Sequence, residues 1–127
     1  MVILGIDWGD VKLGVAIAVG TFSEPLKVIR YEEFNLLLKE LQEIIEKEGI
    51  EKVVVGISEG ASGVKATEFS KNLKKVLDIP VETYDETLST YEAQRLARES
   101  GIKRKKRKEL EDAYAASVML QSYLDNN

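Results

Sequence analysis

The hydrophobic period of this chain first changes near residue 31, and that change narrows the folds open to it. Before it, apolar residues come in short runs. Val2 to Asp7 reads as a buried strand, and Val11 to Val19 as a second, with Leu13, Val15, Ile17 and Val19 alternating against smaller or polar residues. Thr21 to Glu24 reads as a turn, and Pro25 to Arg30 as a third strand with proline at its start. After it, Phe34, Leu37, Leu38, Leu41, Ile44 and Ile45 recur at helical spacing, and Gly49 marks the stop. Val53-Val54-Val55-Gly56-Ile57, within Glu51 to Ser58, has the unbroken apolar character of a central parallel strand. A glycine-rich loop (Glu59 to Gly63) leads to a helix carrying Ala66, Phe69, Leu73, Val76 and Leu77 on one face. Pro80 to Tyr84 is a fifth strand. Ser89 with Glu92 forms a capping box for a third helix, and a fourth spans about Glu109 to Leu124. The order predicts a single α/β domain over residues 1–127. Its five-stranded mixed sheet joins a three-strand antiparallel meander to two parallel strands, with helices on both faces.

What the chain lacks restricts its chemistry. It has no Cys and no His. That removes thiolate nucleophiles, disulfides and zinc ribbons, the commonest general base and the commonest zinc ligand. Catalysis would rest on Asp, Glu, Lys, Ser, Thr or Tyr, or on a metal held by oxygen ligands, which suit Mg²⁺ or Mn²⁺. No basic segment leads a long apolar core at the amino terminus and no run is long enough to span a bilayer, so the expectation is a cytoplasmic protein without a membrane partner. The net charge of −4 conceals an asymmetry. Lys103, Arg104, Lys105, Lys106, Arg107 and Lys108 are consecutive; without these six of the 18 cations the balance would be 12 − 22 = −10. A basic cluster on an otherwise acidic protein suits a polyanion.

Asp7 ends a buried strand between two glycines, where an uncompensated carboxylate would cost several kcal/mol. Asp85 and Glu86 end the last strand, and ligand sites in such sheets gather at strand ends. Asp112 falls in the same sector of the last helix as Ala113, Ala116, Met119, Leu120, Tyr123 and Leu124. Each acid alone has an equally good structural explanation: a turn former, a loop acid, a first-turn helix acid. Together, inward carboxylates from separate elements repel unless cations lie between them. Two divalent ions would satisfy them and support phosphodiester hydrolysis without His or Cys. Gly9, Gly14 and Gly56 would allow close backbone approach, and the basic run, as a loop before the last helix, would overhang the acids and neutralise phosphates.

These residues resemble the YqgF/RuvX family of ribonuclease H-like proteins. The resemblance lies in Gly5-Ile6-Asp7-Trp8-Gly9 with Gly14-Val15-Ala16, Pro25-Leu26, Val54-Val55-Gly56, Asp85-Glu86-Thr87-Leu88-Ser89-Thr90 with Ala93, and Asp112-Ala113 with Ala115-Ala116. It implies a ribonuclease H-like fold and metal-dependent phosphodiester cleavage. Asp7, an acid of the Asp85-Glu86 pair and Asp112 would form the acidic set, with Asp7, Glu86 and Asp112 on Mg²⁺ or Mn²⁺. The implied substrate is structured RNA, at the 5′ end of pre-16S ribosomal RNA, with branched DNA, as for a Holliday junction resolvase, as the alternative. A non-catalytic nucleic-acid-binding or ribosome-assembly factor is a third reading. A nucleotide phosphotransferase of the actin and sugar-kinase type is disfavoured, because that group needs two such domains. The chain departs from the family in carrying Lys12 and Thr87 where Arg is usual and Ser58 where Pro is common. Lys and Thr cannot form the bidentate phosphate fork of Arg.

Overall fold

The computed structural model of the protein describes residues 1–85 and 104–126. Five strands form one sheet: β1 (Val2–Asp7), β2 (Lys12–Val19), β3 (Phe22–Arg30), β4 (Lys52–Ile57) and β5 (Val81–Asp85). Their order is β3-β2-β1-β4-β5. β1, β2 and β3 pair antiparallel, and β4 and β5 extend the sheet parallel to β1. Helices α1 (Phe34–Glu48) and α2 (Ala61–Val76) cover one face, and α3 (Arg104–Asp125) covers the other. This is the mixed architecture that the change of period predicts. The helix expected from Ser89 lies outside the described residues.

The two faces are packed by different means. Toward α1 and α2 stand large side chains, among them Leu4, Ile6, Leu13, Val15, Val53 and Val55, against Leu37, Leu41, Phe69 and Leu73. Each such chain, fully buried, contributes about 1.5–3 kcal/mol. Toward α3 the sheet presents Ala16 and Ala18, and the helix answers with Ala116, Met119 and Leu120. Small residues bring the helix close. A Cβ built on Gly5 would meet Leu120 Cβ at 3.0 Å, and one built on Gly14 would meet the Asp112 carbonyl oxygen at 1.8 Å. The room beside these glycines is filled by α3 itself.

The last strand of the meander begins earlier than its sequence suggests. β2 and β3 are joined by a two-residue turn, Gly20-Thr21, with Gly20 at φ 81°, the geometry of a tight type II′ hairpin. The polar residues expected to form a longer turn are held by α3 instead. Ser23 donates from its hydroxyl to the Ser117 carbonyl (2.6 Å), and its N–H donates to Gln121 Oε1 (2.9 Å). Pro25 consequently lies within the strand, at a bulge opposite Val15 and Ala16 on the sheet edge, where its missing N–H costs no ladder bond. α2 likewise starts at Ala61, so Gly63 belongs to the helix, and Leu77 is already extended. The basic run shows the largest difference. The backbone is helical from Arg104, so Arg104 to Lys108 open α3 and are not a loop ahead of it.

At its far end α3 is clamped to the sheet. Tyr123 donates its hydroxyl to the Glu82 carboxylate, and Lys52 Nζ donates to the same hydroxyl at 3.2 Å. The Tyr123 bond, with the Lys52 charge behind it, holds the Glu82 carboxyl below its usual range. Lys52 and Glu82 stand at the starts of β4 and β5. The clamp is therefore at the end of the strands opposite to Asp7.

Candidate active site

Asp7 is the last residue of β1, paired on one side with Gly14 of β2 and on the other with Gly56 of β4. Neither neighbour has a side chain at that level. The next residue, Trp8, goes to the opposite side, with its ring 6.4 Å from Phe69, which also meets Phe34 edge-on. The loop that follows is fixed by the Tyr31 hydroxyl, which donates to the Gly9 carbonyl at 2.6 Å, and by an ion pair between Asp10 and Lys65 at 3.5 Å. Burial and the Asp10 carboxylate push the Tyr31 hydroxyl pKa up, partly offset by a bond with Trp8, so Tyr31 stays a donor. Gly9 serves this turn directly: a Cβ there would come within 2.4 Å of the Lys12 carbonyl oxygen. Asp7 thus stands at the end of a strand held on both sides, followed by a pinned loop.

Asp112 arrives on the same face from α3. Its backbone carbonyl fills the space over Gly14, the cross-strand partner of Asp7. Side-chain positions paired across antiparallel strands are about 5 Å apart, so the Asp112 backbone lies roughly one strand spacing from the Asp7 side chain. The Asp112 carboxylate lies 3.1 Å from Lys12 Nζ. Its Oδ2 is shielded from solvent and accepts no hydrogen bond among the described residues. The Lys12 contact is thus an ion pair without hydrogen-bond geometry. Arg30, opposite Lys12 in the β2–β3 register, adds a second cation position on this face. The sequence reading did not single it out. The register would have found it, since the residue paired with Lys12 must share its face.

The other sequence-predicted residues are not all brought together. Asp85 pairs with Ile57, one position beyond the level of Asp7 and Gly56, and strand alternation turns it to the face of α2. There it borders a shallow recess with Ser58, Glu59 and Thr67. Glu86 and Lys103 lie outside the described residues. Among the described residues no three acids form a metal-holding group. Asp7 and Asp112 nonetheless fit a hard divalent cation: they offer only oxygen donors, and one of those oxygens is desolvated with Lys12 as its cationic neighbour among the described residues. Along α3, the Cα atoms of Lys108 and Arg104 lie roughly 6 and 12 Å from that of Asp112, at about 1.5 Å per residue.

Residues 1–126 match the family described as RuvX, Holliday junction resolvase. The chain belongs to this family. A curated relative from Caldanaerobacter subterraneus subsp. tengcongensis, named "Putative pre-16S rRNA nuclease", is 41% identical, with 99% of this chain and 97% of the relative aligned. Among solved structures, Thermus thermophilus RuvC in complex with a Holliday junction substrate superposes with a TM-score of 0.61 at 17% identity, covering 100% of this chain and 96% of that one. The fowlpox virus resolvase with its Holliday junction DNA gives 0.63 at 13%, covering 99% and 98%. At such identities the likeness is one of fold, and the fold is ribonuclease H-like. Family and relatives agree on nuclease chemistry, so this RuvX-family chain is a hydrolase of the nuclease class. Among its described residues no helix is long and apolar enough to cross a membrane.

Proposed function

We propose that the chain is a divalent-metal-dependent endonuclease of structured RNA, with the 5′ end of pre-16S ribosomal RNA as its substrate. The observation that supports this most is the meeting of Asp7 and Asp112 on one sheet face, with a desolvated Asp112 oxygen that accepts no hydrogen bond among the described residues. Asp7 and Asp112 would hold Mg²⁺ or Mn²⁺. Glu86, the acid of the Asp85-Glu86 pair that the family resemblance assigns to the metal, would join them. The metal, when bound, supplies an activated water and neutralises charge on the leaving oxygen. The protein's own part is to fix the two carboxylates on rigid elements, so that no reorganisation is needed when charge develops. Water adds to phosphorus, the ester P–O bond breaks, and the leaving oxygen takes up a proton.

Arg104 to Lys108, at the start of α3, are assigned to the substrate backbone, together with Lys103 and Lys12. Phosphate contacts of this kind give affinity and register without reading bases. Replacing Lys105, Lys106 and Arg107 with Gln is expected to weaken RNA binding. It should also reduce the slope of log K against log salt by about 2 to 3, at somewhat less than one unit per phosphate contact. An unchanged slope would remove the run from the interface.

The function itself is tested with labelled pre-16S RNA fragments, four-way DNA junctions and single strands, each with Mn²⁺ or Mg²⁺. Cleavage confined to the RNA supports the reading. Symmetric cutting of junctions, which requires two sites in one assembly, would favour the resolvase reading, and a strict monomer would count against it. Salt-sensitive binding without cleavage of any substrate would indicate a non-catalytic assembly factor.

A further inference from the structure

Lys12 occupies the place that a metal ion would contest. Its Nζ is 3.1 Å from Asp112 Oδ2, the oxygen that is shielded from water and without a hydrogen-bond donor among the described residues. A desolvated carboxylate oxygen needs a cation, and Lys12 is the described residue that supplies it. A divalent ion on the same oxygen would meet the ammonium at close range, where like charges repel strongly. The backbone of Lys12 is fixed as the first residue of β2, but its side chain is 39% exposed and ends in a flexible four-carbon stem. It can leave the carboxylate without disturbing the sheet. The Arg30 position beside it already makes this rim cationic, so the displaced ammonium has an anion to turn to when a phosphodiester is present.

We propose that Lys12 is an exchangeable counter-ion. It neutralises Asp112 in the metal-free protein, is expelled by the divalent cation, and then pairs with the substrate phosphate. Metal binding and substrate grip are thereby coupled through one side chain. The role rests on the metal-dependent reading above, and it gives a reason for Lys at this position. An Arg would hold the carboxylate by a bidentate fork and yield it less readily.

The test is a Mn²⁺ titration of the nucleic-acid-free protein, followed by electron paramagnetic resonance of the free ion, on the wild type, Lys12→Gln, Lys12→Arg and Arg30→Gln. Losing a competing cation should tighten Mn²⁺ binding in Lys12→Gln by about 5- to 20-fold, a range usual for coupling between two bound species. Lys12→Arg keeps the ion pair and should gain nothing. Arg30→Gln removes the same charge from the same face without touching Asp112 and should change affinity less than about 2-fold, since an exposed charge that makes no contact with the carboxylate acts through water of high dielectric. Equal affinity in the wild type and Lys12→Gln would overturn the proposal while leaving the metal site standing. An equal gain in Arg30→Gln would also overturn it, as a general field effect. Mn²⁺ bound by none of the four proteins would overturn both this proposal and the metal-dependent reading.

Discussion

Asp7→Asn is expected to lower kcat for RNA cleavage by about 10³-fold, the loss of several kcal/mol of transition-state stabilisation when a metal-directed carboxylate becomes neutral. The substitution isolates charge from shape. Asn is nearly isosteric with Asp, and the positions flanking residue 7 are glycines that present no side chain to it. The fold should be retained, because β1 is paired along its whole length and Trp8 and Tyr31 anchor the following loop. RNA affinity should change only a few-fold, since the described cations assigned to phosphate lie on β2 and α3. The expected signature is therefore a fall in kcat with KM nearly unchanged. A variant that cuts at the wild-type rate would remove Asp7 from the chemistry.

The second large effect concerns packing. Gly14→Ala is expected to destabilise the protein by roughly 3 kcal/mol, a fall in Tm of roughly 10 °C for a chain of this size. The added Cβ would meet three backbone atoms: the Asp112 carbonyl oxygen at 1.8 Å, its carbon at 2.1 Å and the Ala113 nitrogen at 2.7 Å. Backbone cannot rotate out of the way, so α3 must lift from β2. The lift carries Asp112 away from Asp7, and Mn²⁺ affinity should fall even at temperatures where the variant is folded. Gly5→Ala is the informative comparison. Its Cβ would meet Leu120 Cβ at 3.0 Å, a milder contact that a displacement of only a few tenths of an ångström would relieve. A Gly14→Ala protein melting within about 2 °C of the wild type would contradict the close seating of α3 that positions Asp112.

The architecture was legible because it rests on periodicity. The unbroken apolar run of β1, the alternation in β2 and the three- and four-residue spacing in α1 show which sides are buried, and those sides choose their partners. The juxtaposition of Asp7 with Asp112 was legible in part. A sequence shows that both carboxylates face inward, but not that α3 seats its backbone in the gap at Gly14. Asp85 shows the limit of strand-end reasoning: it is offset by one position from the level of Asp7, and one position turns a side chain to the other face. The basic run reads as a loop because clustered cations repel along a helix. Lys and Arg are nonetheless good helix formers, and the remainder of α3, anchored through Ala113, Ala116, Met119 and Leu120, carries the helix back through them. Ser23 and Pro25 depart from the expected turn for a related reason. Their turn-like chemistry is satisfied by α3 and by a bulge, which are long-range features of the fold.

The most direct test is a crystal of the metal-free protein soaked in Mn²⁺ and measured at the manganese absorption edge. The account predicts an anomalous peak between the carboxylates of Asp7 and Asp112, with the Lys12 ammonium withdrawn from Asp112. A Mn²⁺ ion bound elsewhere, with the Lys12–Asp112 ion pair intact, would contradict it.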